Sequence, residues 1–346
     1  MKETPASSSV TLRDVARELN VSHSTVSRAL QNSPHISLAR RLEIQEAAKR
    51  MGYRPNATAT QLGHQRHATE KRPISSEIAW LNYWPDPKKL HSYAEFNLYW
   101  KGASERAEER GYRLEEFNCG KELSPARLEK IMLSRNIHGI LIPPHGGFAP
   151  PVGWDKIDWS KFSIVRFGYS VAHPSTHLVT SNQLTSGMLA IENMLRLGYE
   201  RIGFVGRPDK HPHFRAGFLL NQMLSKKGPP PIFNFFSADN HMAKLPAFSE
   251  WLKKNHLDAI LSDLAETRPM LEQLGYRIPE DIGLATTSIL DGNADAGINQ
   301  NSEEIGRAAF ETLLSLLNHN QYGIPKVVRE VVITGSWVDG STLPQR

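Results

Sequence analysis

Residues 10–30 read VTLRDVARELNVSHSTVSRAL and predict two short helices joined by a tight turn. Thr11 is a favoured cap for the first helix, and Asp14 can return the hydrogen bond to form a capping box. Asn20 suits the turn because asparagine tolerates the left-handed backbone conformation. Ser22 is placed to cap the second helix. This layout is typical of a helix-turn-helix, whose second helix lies in the major groove of DNA.

A third helix is predicted directly after this pair. Three apolar residues of the second helix are spaced to face inward: Val26, Ala29 and Leu30. Ser37 is placed to cap the third helix over about residues 38–51, and Gly52 ends it. The apolar positions of this helix are Leu42, Ile44, Ala47, Ala48 and Met51. Together these segments predict a small all-α head.

Charge is distributed unevenly along the 346-residue chain, whose formal net charge is +5. Residues 1–72 contain 12 Lys and Arg against 6 Asp and Glu, whereas the remainder contains 29 against 30. A basic head on a nearly neutral body predicts a polyanionic partner for the head alone. The length accommodates this head together with a larger α/β body.

Composition indicates in which cellular compartment the protein is expected. Cys119 is the only cysteine, which excludes an intramolecular disulfide framework and fits a reducing compartment. Residues 1–9 are polar and lack an apolar signal segment, and no apolar run approaches about 18 residues. We therefore expect a cytoplasmic protein without a membrane partner.

Three segments of the head carry a resemblance to a known family. TLRDVARELNVSHSTVSRAL at 11–30, the stretch 33–37 and AAKRMGYRPNATATQL at 47–62 are similar to the DNA-binding head of lactose-repressor-type (LacI/GalR) transcription regulators. The resemblance implies a helix-turn-helix domain over residues 10–55 and a short hinge helix over 56–62 that forms on DNA. It also implies a homodimer that binds a roughly palindromic, double-stranded operator.

The same resemblance assigns DNA contacts to individual residues. His23, Ser24 and Arg28 occupy base-reading positions of the second helix; arginine can donate two hydrogen bonds to guanine, whereas histidine and serine give less decisive contacts. Contacts to the DNA backbone are expected from Thr11, Ser22, Thr25, Ser27, Asn32, Tyr53 and Asn56. Such contacts fix the register on the duplex without reading its sequence. For Ser22 and Thr25, simple helix capping is an equal alternative.

The hinge combines an apolar wedge with small residues. In the resembled family, a leucine at the position of Leu62 inserts into the minor groove at the central step and kinks the duplex, and Ala59 leaves space beside it. Thr60 stands where an arginine is common, so one DNA contact of the family is in doubt here. Residues 63–77 read as a basic, flexible linker.

Residues 78–346 alternate short apolar runs with helical periods, which predicts α/β architecture with parallel sheets and helices on both faces. MLRLGYERIGFVG at 194–206 and IPEDIG at 278–283 are similar to the effector domain of the same family, which is two-lobed and periplasmic-binding-protein-like. The expected lobes are residues 78–179 with 291–322, and residues 180–290 with 323–346. A ligand is then expected between the lobes, at the carboxyl ends of the strands.

Four residues are candidates for effector binding. Arg215 stands where many family members hold their effector through a guanidinium, and Asp263 matches a family position that follows a strand. Tyr83 and Trp84 follow the first strand of the body and are the aromatic residues best placed to face a cleft, although a place in the core is the main alternative. Acids that the family often carries after two later strands are absent, which weighs against a sugar held by paired carboxylates.

Enzyme motifs are missing from the sequence. We find no phosphate-binding loop, no GxSxG elbow and no HExxH pair, and the scattered histidines predict neither a metal site nor a cofactor. We therefore expect a transcription regulator, a repressor, in which a small-molecule effector such as a sugar or related metabolite changes the affinity for the operator. The alternative is a constitutive DNA binder whose cleft no longer takes an effector.

Overall fold

The computed structural model describes residues 10–30, 36–53, 76–119, 123–146, 152–207, 212–224, 231–235 and 240–346. Within these ranges, the head contains three helices: α1 (Leu12–Glu18), α2 (His23–Leu30) and α3 (Leu38–Arg50). Their inward faces form one apolar cluster made by Val15, Ala16, Val26, Ala29, Ile44 and Ala48. The predicted hinge over 56–62 and most of the predicted linker lie outside the described residues, and the last two linker positions belong to a strand that begins at Ser76.

Local hydrogen bonds in the head match the predicted caps and turn. The Thr11 side chain accepts from the Asp14 amide, and the Asp14 carboxylate accepts from the Thr11 amide at 2.8 Å. Asn20 has a φ of 50°, the predicted left-handed conformation. Leu42 differs from its prediction because its side chain is 51% exposed. It lies outside the i, i+3, i+4, i+7 spacing that starts at Ile44 and defines the buried face of α3.

Strands and helices alternate through the body, as predicted. In chain order they are β1 (Ser76–Asn82), α4 (Pro87–Leu90), α5 (Ala94–Glu109), β2 (Tyr112–Asn118), α6 (Pro125–Ser134), β3 (Gly139–Ile142), β4 (Ser163–Phe167), β5 (His177–Ser181), α7 (Gln183–Arg196), β6 (Ile202–Gly206), α8 (Pro212–Leu224), β7 (Ile232–Asn234), α9 (Leu245–Asn255), β8 (Ala259–Ser262), α10 (Thr267–Gln273), β9 (Gly283–Thr286), β10 (Gly297–Asn299), α11 (Ser302–Asn318), β11 (Glu330–Ile333) and β12 (Ser336–Val338). Short 3₁₀ turns lie at Trp154–Lys156, Trp159–Lys161 and Met242–Lys244. Within these ranges, no helix is both long and apolar enough to cross a membrane.

The strands form two six-stranded sheets, one in each lobe. The order in lobe one is β11-β5-β4-β3-β1-β2, and all neighbours are parallel. The order in lobe two is β12-β10-β9-β8-β6-β7, where only the β10–β12 pair is antiparallel. Each lobe has two separate apolar clusters, as expected of a sheet covered by helices on both faces. The predicted α/β fold is confirmed.

Two of the three predicted crossings between the lobes, in contrast, were wrong. Strand β10 pairs with β9 and β12 and so belongs to lobe two, although residues 291–322 were assigned to lobe one. Strand β11 pairs with β5, with Glu330 opposite Leu178, and so belongs to lobe one, although 323–346 were assigned to lobe two. The chain therefore crosses between the lobes near residues 182, 300 and 334. Which sheet such a short strand joins depends on pairing partners that are far away in sequence.

Each lobe contains a helix pair whose crossing requires glycine. A Cβ on Gly102 of α5 would lie 1.9 Å from the carbonyl oxygen of Glu303 on α11, and a Cβ on Gly306 would also lie within 2.2 Å of the facing backbone. In lobe two, Gly187 of α7 and Gly217 of α8 leave only 2.4 and 2.1 Å to the opposing backbone. These four glycines let the paired helices touch backbone to backbone.

Candidate functional site

Helix α2 presents the three predicted base-reading residues to solvent. His23, Ser24 and Arg28 are exposed on one side, while Val26 and Ala29 are buried on the other. Among the described residues, no acidic side chain forms an ion pair with Arg28, so its guanidinium is available to an external acceptor. This is the arrangement that reading a DNA groove requires.

Hydroxyl groups cluster at the start of α2. The Ser22 Oγ lies 2.7 Å from the Ser24 Oγ and 2.8 Å from the Thr25 Oγ1, and it accepts from the Thr25 amide at 3.1 Å. Ser22 thus caps the helix, one of the two roles that the sequence left open. No acidic residue lies in the first turn of α2, so the partial positive charge of this helix end is not neutralised there. A phosphate would be favoured at such a position.

The other residues predicted to contact the DNA backbone differ in how exposed they are. Thr11 is exposed at the cap of α1, and Ser27 is half-buried on α2. Tyr53 packs against the apolar cluster of the head, and its amide donates to the Ala48 carbonyl at 2.9 Å. The remaining predicted DNA contacts lie outside the described residues: Asn32, Asn56, Ala59 and Leu62.

A cavity of about 280 Å³ lies between the two lobes. Its volume would hold roughly nine water molecules, the size of a small metabolite. Lobe one contributes an aromatic wall of successive rings, with centroids 5.8 Å apart for Trp84 and Tyr93, 5.0 Å for Tyr93 and Phe96, and 5.8 Å for Phe96 and Tyr99. Lobe two contributes mainly polar residues, including Arg207, Asp263, Ser288 and Asp291. The cavity is therefore apolar on one side and polar on the other.

Two of the four predicted effector residues line this cavity. Trp84 is oriented by a hydrogen bond of 2.9 Å from its Nε1 to the Pro144 carbonyl, and the Asp263 carboxylate accepts from the Arg207 amide at 3.1 and 3.2 Å. Asp263 follows β8, so the expectation of polar groups at the carboxyl ends of strands holds for it.

Tyr83 and Arg215 do not line the cavity. The Tyr83 ring packs between His145 and Trp154, with centroids 5.1 and 5.4 Å away, and this burial raises the pKa of its hydroxyl. Arg215 instead donates to the Asn234 side chain at 3.3 Å. In each case an adjacent residue lines the cavity instead: Trp84 beside Tyr83, and Phe214 beside Arg215. This is because adjacent residues of a chain face different directions.

A carboxylate that sequence reasoning missed joins the lobes. Asp291, in the loop that follows β9, accepts from the Ala94 amide at 2.9 Å and from the Glu95 amide at 3.1 Å. These are the first two amides of α5, which have no acceptor inside the helix. Asp291 of lobe two therefore caps a helix of lobe one across the mouth of the cavity.

Glu95 is a second missed carboxylate and lies beside this cap. Burial raises the pKa of Glu95 to about 7; the nearby Ser288 hydroxyl opposes that rise, and the Asp291 carboxylate adds to it. Within the described part of the chain, neither the Glu95 Oε1 nor the Ser288 Oγ has a hydrogen-bond partner, although both atoms are shielded from solvent. The only sequence signal was an acid placed between Tyr93 and Phe96, in an aromatic stretch.

The described residues do not bring three or more His, Cys, Asp or Glu side chains into a group that could hold a metal ion. Among the described residues, the ionisable side chains that line the cavity are the carboxylates of Glu95, Asp263, Glu266 and Asp291, the Arg207 guanidinium, the His145 imidazole and tyrosine hydroxyls. The arrangement is suited to binding a small molecule.

Comparisons with known proteins agree with this architecture. Residues 11–56 match the family model for "Bacterial regulatory proteins, lacI family". The chain is 22% identical to the HTH-type transcriptional regulator MalR of Streptococcus pneumoniae, over 90% of this chain and 94% of that protein. Among solved structures, a complex of the transcriptional regulator CelR with cellobiose is similar, with a TM-score of 0.58 and 18% identity over 96% of this chain and 99% of that one.

A second solved structure is also similar over nearly the whole chain. It is the lac repressor dimer bound to operator and the anti-inducer ONPF, with a TM-score of 0.55 and 18% identity over 97% of this chain and all of that one. The fold of the whole chain is therefore that of a helix-turn-helix head on a two-lobed body. Its head matches the model for lacI-family bacterial regulatory proteins and nearly its whole length is similar to a named regulator, so the chain is a DNA-binding transcription regulator with a helix-turn-helix head of the lacI type.

Proposed function

We propose that this protein is a homodimeric repressor that binds a palindromic operator and that a small molecule in the inter-lobe cavity controls its affinity for DNA. The observation that carries the proposal is the Asp291 cap, which ties the geometry of the cavity to the angle between the lobes. A ligand that favours one angle over another shifts the balance between the two forms of the protein.

DNA recognition is attributed to α2. Arg28 is the strongest candidate for reading a base, because a guanidinium can donate to both O6 and N7 of guanine. His23 and Ser24 would refine the preference, and the Ser22 and Thr25 hydroxyls, with the exposed start of the helix, would hold phosphates. Ala59 and Leu62 keep their proposed role in the minor groove, and Asn32 and Asn56 their proposed contacts to the DNA backbone.

Relatives support the dimer and the effector. The lac repressor neighbour is described as a dimer bound to operator, and the CelR neighbour as a complex with cellobiose. By analogy, two copies of this head would read two half-sites, and the cavity would hold a metabolite. Its volume and its shielded, unpartnered polar atoms favour a ligand-controlled regulator over a constitutive binder.

Operator selection followed by a ligand screen tests the proposal. The full-length protein selects its operator from a random pool of duplexes, and a metabolite library is then screened for compounds that change the affinity for that operator. We expect a two-fold symmetric consensus and at least one compound that changes affinity by about tenfold or more. An operator that binds equally tightly with every compound would favour the constitutive binder, and no preferred sequence would contradict the repressor.

Arg28→Ala is expected to weaken binding to the selected operator by about 1–3 kcal/mol and to relax the preference at one base pair of each half-site. The reason is that the substitution removes a base contact rather than charge alone. Arg13→Ala is the matched control, because Arg13 is an exposed arginine on α1 and its loss should affect all sequences alike. Competition binding against single-base operator variants measures both effects. An unchanged base preference in Arg28→Ala would contradict the assigned role.

A further inference from the structure

Glu95 and Asp291 are adjacent carboxylates at the wall of the cavity, and no cationic side chain among the described residues forms an ion pair with either of them. Asp291 directs both oxygens at the start of α5, while the Glu95 Oε1 has no hydrogen-bond partner in the described part of the chain. In the described part of the chain, the side chains that shift the pKa of Glu95 are Ser288 and Asp291, neither of which is cationic. Burying a carboxylate in this way is costly unless a positive group or hydrogen-bond donors compensate it.

The other charged side chains that line the cavity are also mainly negative. Among the described residues, four carboxylates line it, at Glu95, Asp263, Glu266 and Asp291, together with one guanidinium, that of Arg207. An anionic ligand, such as a phosphorylated or carboxylated sugar, would add to this negative charge. A donor-rich, positively charged group would relieve it.

The aromatic wall lies next to these carboxylates. Glu95 stands between Tyr93 and Phe96 in sequence, and both rings line the cavity together with Trp84 and Tyr99. Aromatic faces attract cations through the negative charge of their ring faces, and they also stack on the apolar face of a ring compound. A carboxylate beside aromatic rings is a combination that recognises an ammonium group on a small ring.

On the basis of the effector role proposed above, we infer that the cavity binds a monosaccharide-sized ring compound that carries a protonated amine, such as an amino sugar. The ammonium group of this compound would donate to Glu95, and its ring would lie against Trp84, Tyr93 and Phe96. An ammonium has three donors and no acceptor, which suits the Glu95 carboxylate and the Ser288 hydroxyl, both of which line the cavity. The ring would occupy the remaining volume along the aromatic wall.

Binding should then depend on pH, because only ionised Glu95 attracts the ammonium strongly. The pKa of Glu95 is raised to about 7, so its charged fraction increases through the neutral range. The ionisable groups around it are Asp291 on the facing loop and Tyr99 on its own helix, with Asp263, Glu266, Arg207 and His145 elsewhere on the cavity wall. Tyr99 stays neutral in this range because burial and both carboxylates raise its pKa.

Shape-matched probes of different charge test the inference on the full-length protein. Cyclohexylamine, cyclohexanol and cyclohexanecarboxylate share one ring and form the first set of probes, and glucosamine and glucose form the second. Binding is followed by tryptophan fluorescence and calorimetry at probe concentrations up to about 10 mM. We expect each amine to bind at least about tenfold more tightly than its neutral counterpart, and the carboxylate not to bind. Affinity for cyclohexylamine, which stays protonated, should rise by about fivefold or more between about pH 6 and pH 8.

Glu95→Gln provides the decisive variant. It should remove most of the preference for the amine and its pH dependence, while Glu192→Gln, an exposed position on α7, should change neither. Because the substitution removes a buried, uncompensated charge, the variant should melt at least as high as the unmodified protein at about pH 8, which verifies that it folds.

Several outcomes would overturn the inference without touching the repressor proposal. They are equal binding of amine and neutral probe, no binding of either amine, amine binding that survives in Glu95→Gln, or an operator-releasing compound that is neutral or anionic. A library in which nothing alters operator binding would instead contradict control by a ligand. The two failures are therefore distinguishable.

Discussion

Replacing Gly102 with alanine should destabilise lobe one by about 3 kcal/mol. At an ordinary helix position the same change would stabilise the protein by up to about 1 kcal/mol, because alanine is the better helix former. Here the new Cβ would lie 1.9 Å from the Glu303 carbonyl oxygen, so α5 and α11 would have to separate along their whole contact. Thermal unfolding followed by circular dichroism should show a loss of roughly 10 °C.

Glu108→Ala serves as the control for this substitution. Glu108 is exposed on the same helix, so the change should alter stability by less than about 0.5 kcal/mol. If Gly102→Ala were as stable as the unmodified protein, the close backbone crossing of the two helices would be wrong. Gly306, on the facing helix, offers an independent repeat of the experiment.

Asp291→Ala should open the inter-lobe cavity. The substitution removes two hydrogen bonds from backbone amides to a carboxylate, at 2.9 and 3.1 Å, and should favour the open form by about 2–4 kcal/mol. Cys119 is buried and is the only cysteine, so dyes on cysteines introduced at Glu108 and Lys254 would report the distance between the lobes. We expect energy transfer between the dyes to fall in Asp291→Ala.

A matched control separates lobe opening from the loss of a helix cap. Asp86 also caps a helix, accepting from the Lys88 amide at 3.1 Å, but both residues belong to lobe one. Asp86→Ala should therefore leave the energy transfer unchanged. Equal transfer in Asp291→Ala and the unmodified protein would mean that other contacts hold the lobes together.

The head could be predicted from sequence nearly residue by residue because short-range interactions determine it. The capping box joins Thr11 and Asp14, three residues apart, and the left-handed turn depends on Asn20 alone. Leu42 was the exception, since its hydrophobicity suggested burial while the helical spacing directs it to solvent. A periodic pattern was therefore a better guide than the character of one residue.

The lobe boundaries could not be predicted in the same way. Strands β10 and β11 contain three and four residues, and their own sequences do not distinguish one sheet from the other. Their membership follows from pairing, such as Glu330 with Leu178 and Asn299 with Ser336. Contacts across such long sequence separations leave no local signal.

The candidate cavity was predicted only in part for the same reason. Trp84 and Asp263 could be found because each follows a strand whose end meets the cleft. Glu95 and Asp291 are about 196 residues apart and become neighbours only when the lobes meet, so no motif joins them. Tyr83 and Arg215 were misplaced because a choice between adjacent residues depends on the orientation of the strand end or helix.

The Asp291 cap also supplies a built-in reporter of lobe motion. The amide protons of Ala94 and Glu95 have no acceptor within α5, and in the described part of the chain they donate to the cross-lobe carboxylate. Each separation of the lobes would leave both protons open to exchange with solvent deuterium. Isotope uptake at these two positions would therefore follow opening and closing in the unmodified chain, without any attached label.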